Sequence, residues 1–402
     1  EEGVIYSARD MAVVRAHMGN FPIVLVSATP SLETIHNAWQ GRYEHLTLPD
    51  RFGGARMPSI ESIDMREKEN KPDAQHFIST PLKAAIVETL ERNEQVLLFL
   101  NRRGYAPLTL CRSCGHRMNC PRSTASLVDH KRSQSLQCHH CGFSARIPEA
   151  CPECGERDCL AVCGPGVERI YEEAKHLFPD ANILMLTSDT AENNDQLRAM
   201  LQDIKDDKID IIIGTQIIAK GHHFPNLTLV GVIDADLGLQ GSDLRAAERT
   251  FQLMRQVAGR AGRADKPGHA LIQTHQPEHE ALVALAAGDR EMFIGVELSM
   301  REMLGLPPFG KLAAVIFWGP EAAKVDALAK KFLNAAPRAE GIDILGPSEA
   351  PIGRLRGLYR RRLFVQAEAS VNLSKYMQIW HKKVRPPSKY KIQIDIDPQS
   401  FM

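Results

Sequence analysis

Cysteine is confined to one stretch of the chain, and its spacing is that of a metal site. All nine cysteines lie between Cys111 and Cys163. Six of them form three pairs with a two-residue gap: Cys111 with Cys114, Cys138 with Cys141, and Cys151 with Cys154. Such a gap lets a tight turn present both thiolates to one tetrahedral ion, and zinc is the metal that fits best. Cys159 and Cys163 have no partner at this spacing, so we interpret them as packed or free thiols.

Two arginines near position 260 have the second chemically informative spacing. Arg260 and Arg263 lie three apart, with small residues between them, at the predicted end of a helix that carries Gln256. Planar guanidinium groups suit bidentate contact with phosphate oxygens. Taken alone, the pair also fits a solvated helix face. Segment 214–225 favours a ligand-binding site over a solvated face. It forms a polar loop directly after an apolar strand, and parallel sheets bind ligands at the carboxyl ends of their strands.

Two other polar clusters have plainer interpretations. Asp234 and Asp236 end an apolar strand, and we interpret them as carboxylates that cap a turn, because nothing nearby completes a metal ligand set. His275 and His279 reproduce the His-x-x-Glu-His pattern of a zinc protease. Pro277 lies between them, however, and does not fit the interior of the helix that this motif needs.

Basic side chains are concentrated in a stretch that holds no acidic residue. It contains five arginines: Arg354, Arg356, Arg360, Arg361 and Arg362. A solvated hairpin is one interpretation, but this density of charge equally favours contact with phosphate, and we expect DNA binding here.

Length and composition describe the molecule that must hold these residues. A chain of 402 residues exceeds one ordinary hydrophobic core, so we expect two to four domains. Hydrophobic residues at 44% and charged residues at 24% exclude a wholly disordered or collagen-like chain. The 49 basic and 49 acidic residues cancel, so net charge neither demands nor excludes a nucleic-acid partner. No apolar run is long enough to predict a membrane partner.

Strands and helices are predicted to alternate along most of the chain. Apolar runs predict strands at 22–29, 95–100, 182–186, 209–213, 227–233 and 269–273, with helices at about 31–40, 80–92, 167–178, 194–205 and 243–260. We expect a polar linker at 49–76 and Thr80 as the cap of the next helix. This alternation predicts an α/β fold with a doubly wound, mostly parallel sheet that carries the cysteine block as an insertion. A compact α+β unit is predicted after Pro308.

Several segments together resemble a protein family. Ser27-Ala28-Thr29 resembles motif III of a superfamily 2 helicase, 214–225 resembles motif V, and 256–263 resembles motif VI. With Asn101-Arg-Arg-Gly-Tyr105, the cysteine block and the ending Ile394-Asp-Ile-Asp-Pro398, the whole chain is similar to the primosomal replication-restart helicases (primosomal protein N′). The resemblance implies three regions: 1–75 as the end of helicase lobe 1, 76–280 as RecA-like lobe 2 with a zinc-binding insertion at 108–164, and 281–402 as a C-terminal α+β DNA-binding domain.

The resemblance also implies an activity. It is that of a bacterial, cytoplasmic, ATP-dependent DNA helicase that moves 3′ to 5′, recognises stalled forks and initiates primosome assembly. Arg260 and Arg263 would face the ATP phosphates, with Gln256 beside them. The residues that would couple nucleotide to DNA are Ser27, Thr29, Gly214, Thr215, Gln216 and Lys220. ATP and Mg²⁺ would be the cofactors, and the partners would be forked and single-stranded DNA, primosome proteins and single-stranded-DNA-binding protein.

The first departure from the family concerns ATP. The sequence has no Gly-x-x-x-x-Gly-Lys-Ser/Thr motif and no Asp-Glu-x-His box. In the family these motifs lie upstream of the position that corresponds to Glu1. We therefore expect this chain to be about the C-terminal half of the helicase and to hydrolyse no ATP alone. A non-catalytic zinc-containing module that binds DNA or primosome partners is the alternative function.

The second departure concerns the zinc ligands. The resemblance implies a complete first site made by Cys111, Cys114, Cys151 and Cys154. It implies a second site with Cys120, Cys138 and Cys141, in which Ser123 stands where the family has a fourth cysteine. A hydroxyl is a poor zinc ligand, so we expect one tight zinc and a second that is weak or absent. His130, His139, His140 or water are the alternatives for the missing ligand.

Overall fold

The computed structural model describes most of the chain. The described residues are 7–48, 57–72, 76–100, 109–111, 114, 116, 118–121, 127–130, 135–138, 142–157, 160–162, 167–187, 194–215, 224–239, 243–262 and 266–399. Several residues singled out above lie outside these ranges: Ser123, His139, His140, Cys141, Cys159, Cys163, Gln216, Lys220 and Arg263.

Two helices begin the described chain, α1 (Ala8–Gly19) and α2 (Leu32–Trp39). The Ser31 hydroxyl starts α2 by accepting a hydrogen bond from the Thr34 N–H. The strand predicted at 22–29 is wrong, because no described strand pairs with this segment and Val24 and Val26 are 80% and 88% exposed. An apolar run forms a buried strand only where neighbouring strands complete its hydrogen bonds.

The main sheet begins with an element that the sequence did not reveal. The first elements are β1 (Ser59–Asp64), α3 (Thr80–Glu91) and β2 (Gln95–Phe99). β1 lies in the predicted linker 49–76, so that prediction is wrong over these six residues. The prediction of Thr80 as cap is wrong by one position, because the Ser79 hydroxyl accepts from the Leu82 N–H.

The cysteine block forms two small sheets. Its strands are β3 (Thr109–Cys111), β4 (Val128–His130), β5 (Ser135–Gln137), β6 (Ser144–Arg146) and β7 (Leu160–Val162). β3 pairs antiparallel with β7, and β4, β5 and β6 form an antiparallel three-stranded sheet. The insertion therefore leaves and rejoins the main fold through two adjacent strands.

The α/β alternation then resumes as predicted. The elements are α4 (Val167–Leu177), β8 (Ile183–Leu186), α5 (Asn194–Lys205), β9 (Ile211–Gly214), β10 (Leu227–Val232), α6 (Asp236–Leu239), α7 (Ala246–Ala258), β11 (His269–Thr274), α8 (Glu280–Ala286) and α9 (Arg290–Met303). The sheet has the order β1-β11-β10-β2-β9-β8, and all of its described ladders are parallel. The predicted α/β fold is confirmed.

Two hydrophobic cores cover the two faces of this sheet. One contains Leu97, Ile212 and Val230, and the other contains Leu98, Ile213 and Leu229. The strands alternate between the cores because successive side chains point to opposite faces. The first core continues into α8 and α9 through Leu282 and Phe293, and the ring of Phe293 stacks on Phe251 of α7 at 4.2 Å between centroids. α8 and α9, which follow the boundary predicted at 280, therefore share the first core, and the boundary itself stays a prediction.

The C-terminal unit is α+β, as predicted. Its elements are β12 (Gly310–Gly319), α10 (Ala322–Asn334), β13 (Ile342–Leu355), β14 (Leu358–Glu368), α11 (Leu373–Lys383) and β15 (Lys391–Ile396). The antiparallel order is β13-β14-β12-β15. Phe332 and Trp380 stack at 4.5 Å between ring centroids, in the core between the helices and one face of the sheet. The other face contains Phe364 and packs against Leu244 of the main lobe.

Candidate functional site

A row of side chains on α7 holds the segment that carries Thr29. Glu248, Gln252 and Gln256 are four residues apart, so they lie along one side of the helix. The Gln256 Nε2 donates to the Thr29 Oγ1 at 3.0 Å, and the Gln252 Nε2 donates to the Pro30 carbonyl at 3.3 Å. The Glu248 Oε1 accepts from the Leu32 N–H at 3.0 Å. Gln256 and Thr29, 227 residues apart in sequence, are therefore in direct contact.

The segment 27–31 is ordered by short-range bonds of its own. The Thr29 N–H donates to the Ser27 Oγ at 3.1 Å, and Nη1 of Arg9 donates to the Ser31 Oγ at 2.7 Å. Ser27 is exposed and Thr29 is half-buried. The contribution of Arg9, Glu248 and Gln252 was missed by sequence reasoning, although the four-residue spacing of Glu248, Gln252 and Gln256 is a signal that could have revealed the row.

A tight turn follows α7 and fixes the position of Arg260. The Arg260 N–H donates to the Val257 carbonyl at 2.9 Å, and the arginine is half-buried. Gly262 has φ +64°, and a Cβ placed there would lie 2.1 Å from the Gly268 backbone nitrogen. Any other residue at 262 would collide with the backbone leading into β11. The predicted role of Arg260 toward phosphate stays a prediction.

The carboxyl ends of two central strands meet where the polar loop begins. The Leu100 N–H, directly after β2, donates to the Gly214 carbonyl at the end of β9 at 3.0 Å. Gly214 is buried and Thr215 is half-buried. The structure places these two residues at the sheet edge where α/β proteins bind ligands. Their predicted partners Gln216 and Lys220 lie outside the described residues.

A buried ion cluster joins α2, α7 and α9, and sequence reasoning did not predict it. It consists of three carboxylates and two guanidinium groups: Glu33, Glu248, Glu297, Arg245 and Arg301. Arg301 contacts Glu248 at 2.9 Å, Glu297 at 3.1 Å and Glu33 at 3.5 Å. Arg245 contacts Glu33 at 2.5 Å, and its Nε donates to the Pro398 carbonyl at 3.2 Å. The cluster thereby connects the Thr29 segment, the main lobe and the end of the C-terminal unit.

The pKa shifts in this cluster follow from burial opposed by charge. Burial alone would raise the pKa of Glu33, but Arg245 and Arg301 hold it below its usual range. Burial raises the pKa of Glu297, and Arg301 opposes this only in part. Glu33 and Glu297 therefore both depend on Arg301 to stay charged in an environment with little water.

Asp234 caps a turn after β10, as predicted, whereas Asp236 binds the end of the neighbouring strand β11. The Asp234 Oδ1 accepts from the Leu237 N–H at 3.2 Å, and the Asp236 carboxylate accepts from the Thr274 hydroxyl at 2.6 Å and the His275 N–H at 2.8 Å. Burial, followed by the charge of Asp236, raises the pKa of Asp234 to about 7. The described residues place no metal-type cluster here.

The His-x-x-Glu-His pattern forms no protease site. The His275 Nδ1 lies 3.0 Å from the Asp236 carboxylate, whereas the His279 Nδ1 accepts from the Ala281 N–H and begins α8. No helix contains both histidines, which confirms the expectation from Pro277.

The first cysteine set has the geometry of a tetrahedral metal site. The four Sγ atoms of Cys111, Cys114, Cys151 and Cys154 all lie within 4.8 Å of one another. The Cys111–Cys154 and Cys114–Cys151 sulfur distances are 3.6 and 3.7 Å. Four sulfurs bound at about 2.3 Å to one zinc ion would be about 3.8 Å apart, so this donor set fits zinc without rearrangement.

Three cysteine turns in the block share one backbone pattern. The N–H groups of Cys111, Cys138 and Cys151 each donate to the carbonyl of the residue five positions later, at 2.8, 2.7 and 2.8 Å. Gly142 and Gly155, each four residues after a cysteine, have φ +78° and +73°. The turn at Cys138 therefore repeats the turn that presents Cys151 in the first site. Cys138 also packs with Cys120 in a small buried cluster, while Cys141 lies outside the described residues.

Only part of the predicted basic surface is exposed. Arg354 and Arg356 are exposed, whereas Arg360 and Arg362 are 4% and 1% exposed. Arg360 stacks over the Trp318 ring at 4.3 Å, Arg362 stacks over the Phe364 ring at 4.2 Å, and Arg361 bonds with Asp326. Burial lowers the pKa of Arg362 to about 9. Arg354 and Arg356 are therefore the two exposed members of the cluster, whereas Trp318, Asp326 and Phe364 hold the other three, and DNA binding by the cluster stays a prediction.

The main lobe belongs to a known class. Residues 153–265 match the helicase conserved C-terminal domain. Together with the parallel RecA-like sheet, this match defines the main lobe as the C-terminal lobe of a helicase.

Residues 302–399 match the primosomal protein N C-terminal domain. Over 401 residues the chain is 46% identical to the replication restart protein PriA of Rickettsia conorii, covering 100% of this chain and 61% of the relative. It is 38% identical to the proteins of the same name from Haemophilus influenzae (98% of this chain, 54% of the relative) and Bacillus subtilis (100% and 50%). The chain is a homologue of these replication restart proteins along essentially its whole length, and it spans between half and two thirds of theirs.

Among the described helices, none combines the length and the apolar character needed to cross a membrane.

Proposed function

We propose that this chain works as part of an ATP-dependent DNA helicase that moves 3′ to 5′, recognises stalled forks and initiates primosome assembly. Within that helicase, its role is to couple ATP hydrolysis to movement along DNA. The observation that carries the proposal is the hydrogen bond between Gln256 and Thr29, which joins two segments that resemble helicase motifs VI and III.

The contact is suited to coupling because both of its ends are anchored. On the α7 side, Gly262 allows the tight turn that positions Arg260 at the end of the same helix. On the other side, Glu248 holds the N–H of Leu32, so the Thr29 segment cannot shift without disturbing α7. ATP and Mg²⁺, when bound, would supply the phosphoryl group whose transfer drives movement. Arg260 would approach its oxygens, and Gln256 would convey the resulting displacement to Thr29.

The test compares ATP hydrolysis, with and without single-stranded DNA, by this chain and by the chain joined to the part of the Rickettsia conorii relative that it does not match. We expect turnover only in the joined protein, because this sequence has no phosphate-binding loop. In the joined protein, Gln256→Ala and Thr29→Val should each lower DNA-stimulated turnover, and the double variant should lose no more than one of them. Gln202→Ala is the matched control, since that amide bonds only with Asp206 on the surface of α5.

Full turnover in Gln256→Ala would refute the coupling role. A second candidate function is a non-catalytic module that binds DNA or primosome partners, and the exposure of Arg354 and Arg356 favours it. DNA binding by the chain, together with no turnover in the joined protein, would support this second function.

We also propose zinc as the metal at Cys111, Cys114, Cys151 and Cys154. The set offers four thiolates and no open position, which is the pattern of a structural site. Burial raises the pKa of the Cys114 thiol to about 12, so zinc binding must release protons and acid must weaken it. Zinc here would join the turns at Cys111 and Cys151 and stabilise the base of the insertion.

A further inference from the structure

Two turns of the C-terminal unit present a basic residue in an unfavourable backbone conformation. Among the described residues other than glycine, six have positive φ, and four of these are Asn or Asp, which adopt this conformation most readily. The other two are Arg356, with φ +50°, and Lys389, with φ +70°. Each turn therefore carries a charged side chain at a position where Gly or Asn would form the turn with less strain.

The local structure of each turn explains why φ must be positive there. Arg356 and Gly357 form the two-residue turn that joins β13 to β14. Such a hairpin turn needs positive φ at both central positions, and Asn-Gly is its preferred sequence. In the other turn, the Tyr390 N–H donates to the Pro387 carbonyl at 3.0 Å, so Lys389 is the third of four residues. A positive φ at this third position favours Gly or Asn.

The sheet register places both turns at the same end of the C-terminal unit. Tyr359, just after the hairpin turn, pairs with Gly319 at the end of β12. Lys391, the first residue of β15, pairs with Trp318 of the same strand. The ring of Tyr390 packs on Gly319, where no space remains for a side chain. Neighbouring strands are about 4.8 Å apart, so two to three strand spacings separate the turns by about 10–14 Å.

Further cations surround the turn at Lys389. Segment 369–394 contains no Asp or Glu, and its exposed basic residues are Lys375, His381, Lys382, Lys383, Arg385, Lys389 and Lys391. The helix dipole favours the three that lie in the last turn of α11. It does not account for Arg385 or Lys389, which follow the helix. Glu321 accepts a hydrogen bond from Tyr390, but its carboxylate is already paired with Lys324 at 2.7 Å.

The aromatic residues near these turns favour duplex DNA over a single strand. Proteins that bind single strands stack the bases on exposed aromatic rings. Tyr376, Trp380 and Tyr390 are 8%, 0% and 9% exposed, and the guanidinium group of Arg354 lies over the Tyr359 ring at 5.1 Å. A duplex instead offers two phosphate strands on either side of a major groove about 12 Å wide. The separation of the two turns is close to this width.

We propose that the two basic turns form one binding surface for the phosphate backbone of duplex DNA, with Arg356 and Lys389 on opposite sides of a groove. Backbone contacts carry no sequence information, so this surface would hold duplex DNA of any sequence. The proposal rests on DNA binding by this chain, as proposed above, and extends it to a second segment and to one form of DNA. It does not depend on ATP hydrolysis, so it can fail while the helicase proposal stands.

The experiment measures binding of the whole chain to a short blunt duplex by fluorescence anisotropy over a range of salt concentrations. The variants are Arg356→Asn and Lys389→Gly, which remove the charge and give each turn a residue that its conformation favours. Their unfolding midpoints should be unchanged or higher, so weaker binding would not result from misfolding. Each should reduce the slope of log affinity against log salt by up to about 0.9, and the double variant by up to about 1.8.

Lys205→Gln is the matched control, because Lys205 is an exposed lysine in the last turn of α5, in the main lobe. It should leave the slope unchanged. If Lys389→Gly reduces the slope no more than Lys205→Gln does, the proposal is overturned, and an acidic protein surface becomes the better partner for these cations.

The same titrations with one strand of the duplex test which form of DNA the surface binds. We expect the double variant to lose less affinity for the single strand than for the duplex, because the two phosphate strands of the duplex engage both turns at once. Equal losses for the two forms of DNA would overturn the assignment to duplex.

Discussion

Replacement of Arg301 by methionine tests whether the buried ion cluster holds three parts of the chain together. The Arg301 side chain is 3% exposed and contacts Glu248, Glu297 and Glu33, whose side chains are 5%, 6% and 19% exposed. Methionine keeps much of the volume and removes the charge. The variant leaves Arg245 as the remaining cation in the cluster, facing three carboxylates.

The expected loss of stability follows from the carboxylates that stay behind. Removal of one partner from a buried ion pair costs about 3–5 kcal/mol, because the other charge remains without compensation. Arg301 forms ion pairs with three carboxylates and also donates a hydrogen bond to the Pro307 carbonyl. Glu297 can relieve part of the cost by taking up a proton, since burial already raises its pKa. We therefore expect a loss near the lower end of that range.

The loss should depend on pH in a defined direction. Without Arg301, the pKa of Glu297 in the folded protein rises further, because burial already raises it and the charge that opposes burial is gone. A carboxyl group whose folded pKa is raised favours folding while protonated, and this contribution disappears as pH rises through the folded pKa. Arg301→Met should therefore lose more stability at pH 8 than at pH 5.

The assay is native-state hydrogen exchange in mild urea, read at the Leu32 amide that Glu248 holds and at the amides of α7. Arg290→Met is the control. Arg290 lies at the start of α9, the helix that also carries Arg301, and it pairs with Glu291, whose carboxylate is 56% exposed. Such pairs contribute about 0.2–1 kcal/mol. The reasoning fails if Arg301→Met lowers protection of Leu32 no more than Arg290→Met does, or if its effect is the same at both pH values.

Three further predictions concern the metal, the sheet edge and DNA. Cys151→Ser should abolish the tightly held zinc, and Ser123→Cys should raise the content to two; two equally tight zinc ions in the unmodified chain, measured by mass spectrometry during chelator titration, would contradict the second expectation. Asp234→Asn should increase stability in urea more at pH 8 than at pH 5, because the raised pKa of Asp234 stabilises the fold only while the carboxyl is protonated; equal gains would contradict this. Arg354→Gln and Arg356→Gln should each reduce the slope of log affinity against log salt by up to about 0.9 for duplex DNA, and an unchanged slope would exclude phosphate contact.

The strands that the sequence revealed are those buried on both faces. β2, β9 and β10 are mostly apolar because a hydrophobic core covers each face of the parallel sheet at these strands. β1 has the sequence Ser-Ile-Glu-Ser-Ile-Asp and lies at the sheet edge, so its polar residues concealed it. Segment 22–29 shows the opposite failure, since its apolar residues predict a buried strand and the described chain offers it no partner.

Local spacing predicted parts of the site, but not the contacts that depend on tertiary structure. The two-residue gaps predicted that each pair of thiols could bind one metal, because a short turn determines that geometry within a few residues, whereas only the family resemblance grouped Cys111 and Cys114 with Cys151 and Cys154. The contact of Gln256 with Thr29 was not predicted, because the resemblance to helicases only placed Gln256 beside the arginines and gave Thr29 a coupling role. The burial of Arg360 and Arg362 was not predictable from charge density, because it depends on Trp318 and Phe364 lying beside them in the sheet. The Glu33–Arg245–Arg301 contacts join residues more than 200 positions apart and leave no local pattern.

The antiparallel pairing of β3 with β7 has a consequence for how this protein can change over evolutionary time. Because the insertion departs and returns at neighbouring points, its length can vary without altering the order or the handedness of the strand–helix crossover from β2 to β8. The four-sulfur cluster lies at the same junction, since Cys111 is the last residue of β3. With zinc bound there as proposed, such a junction would separate the folding of the main lobe from that of the insertion. The insertion could therefore vary in length and in its ligands while the main lobe keeps its own fold.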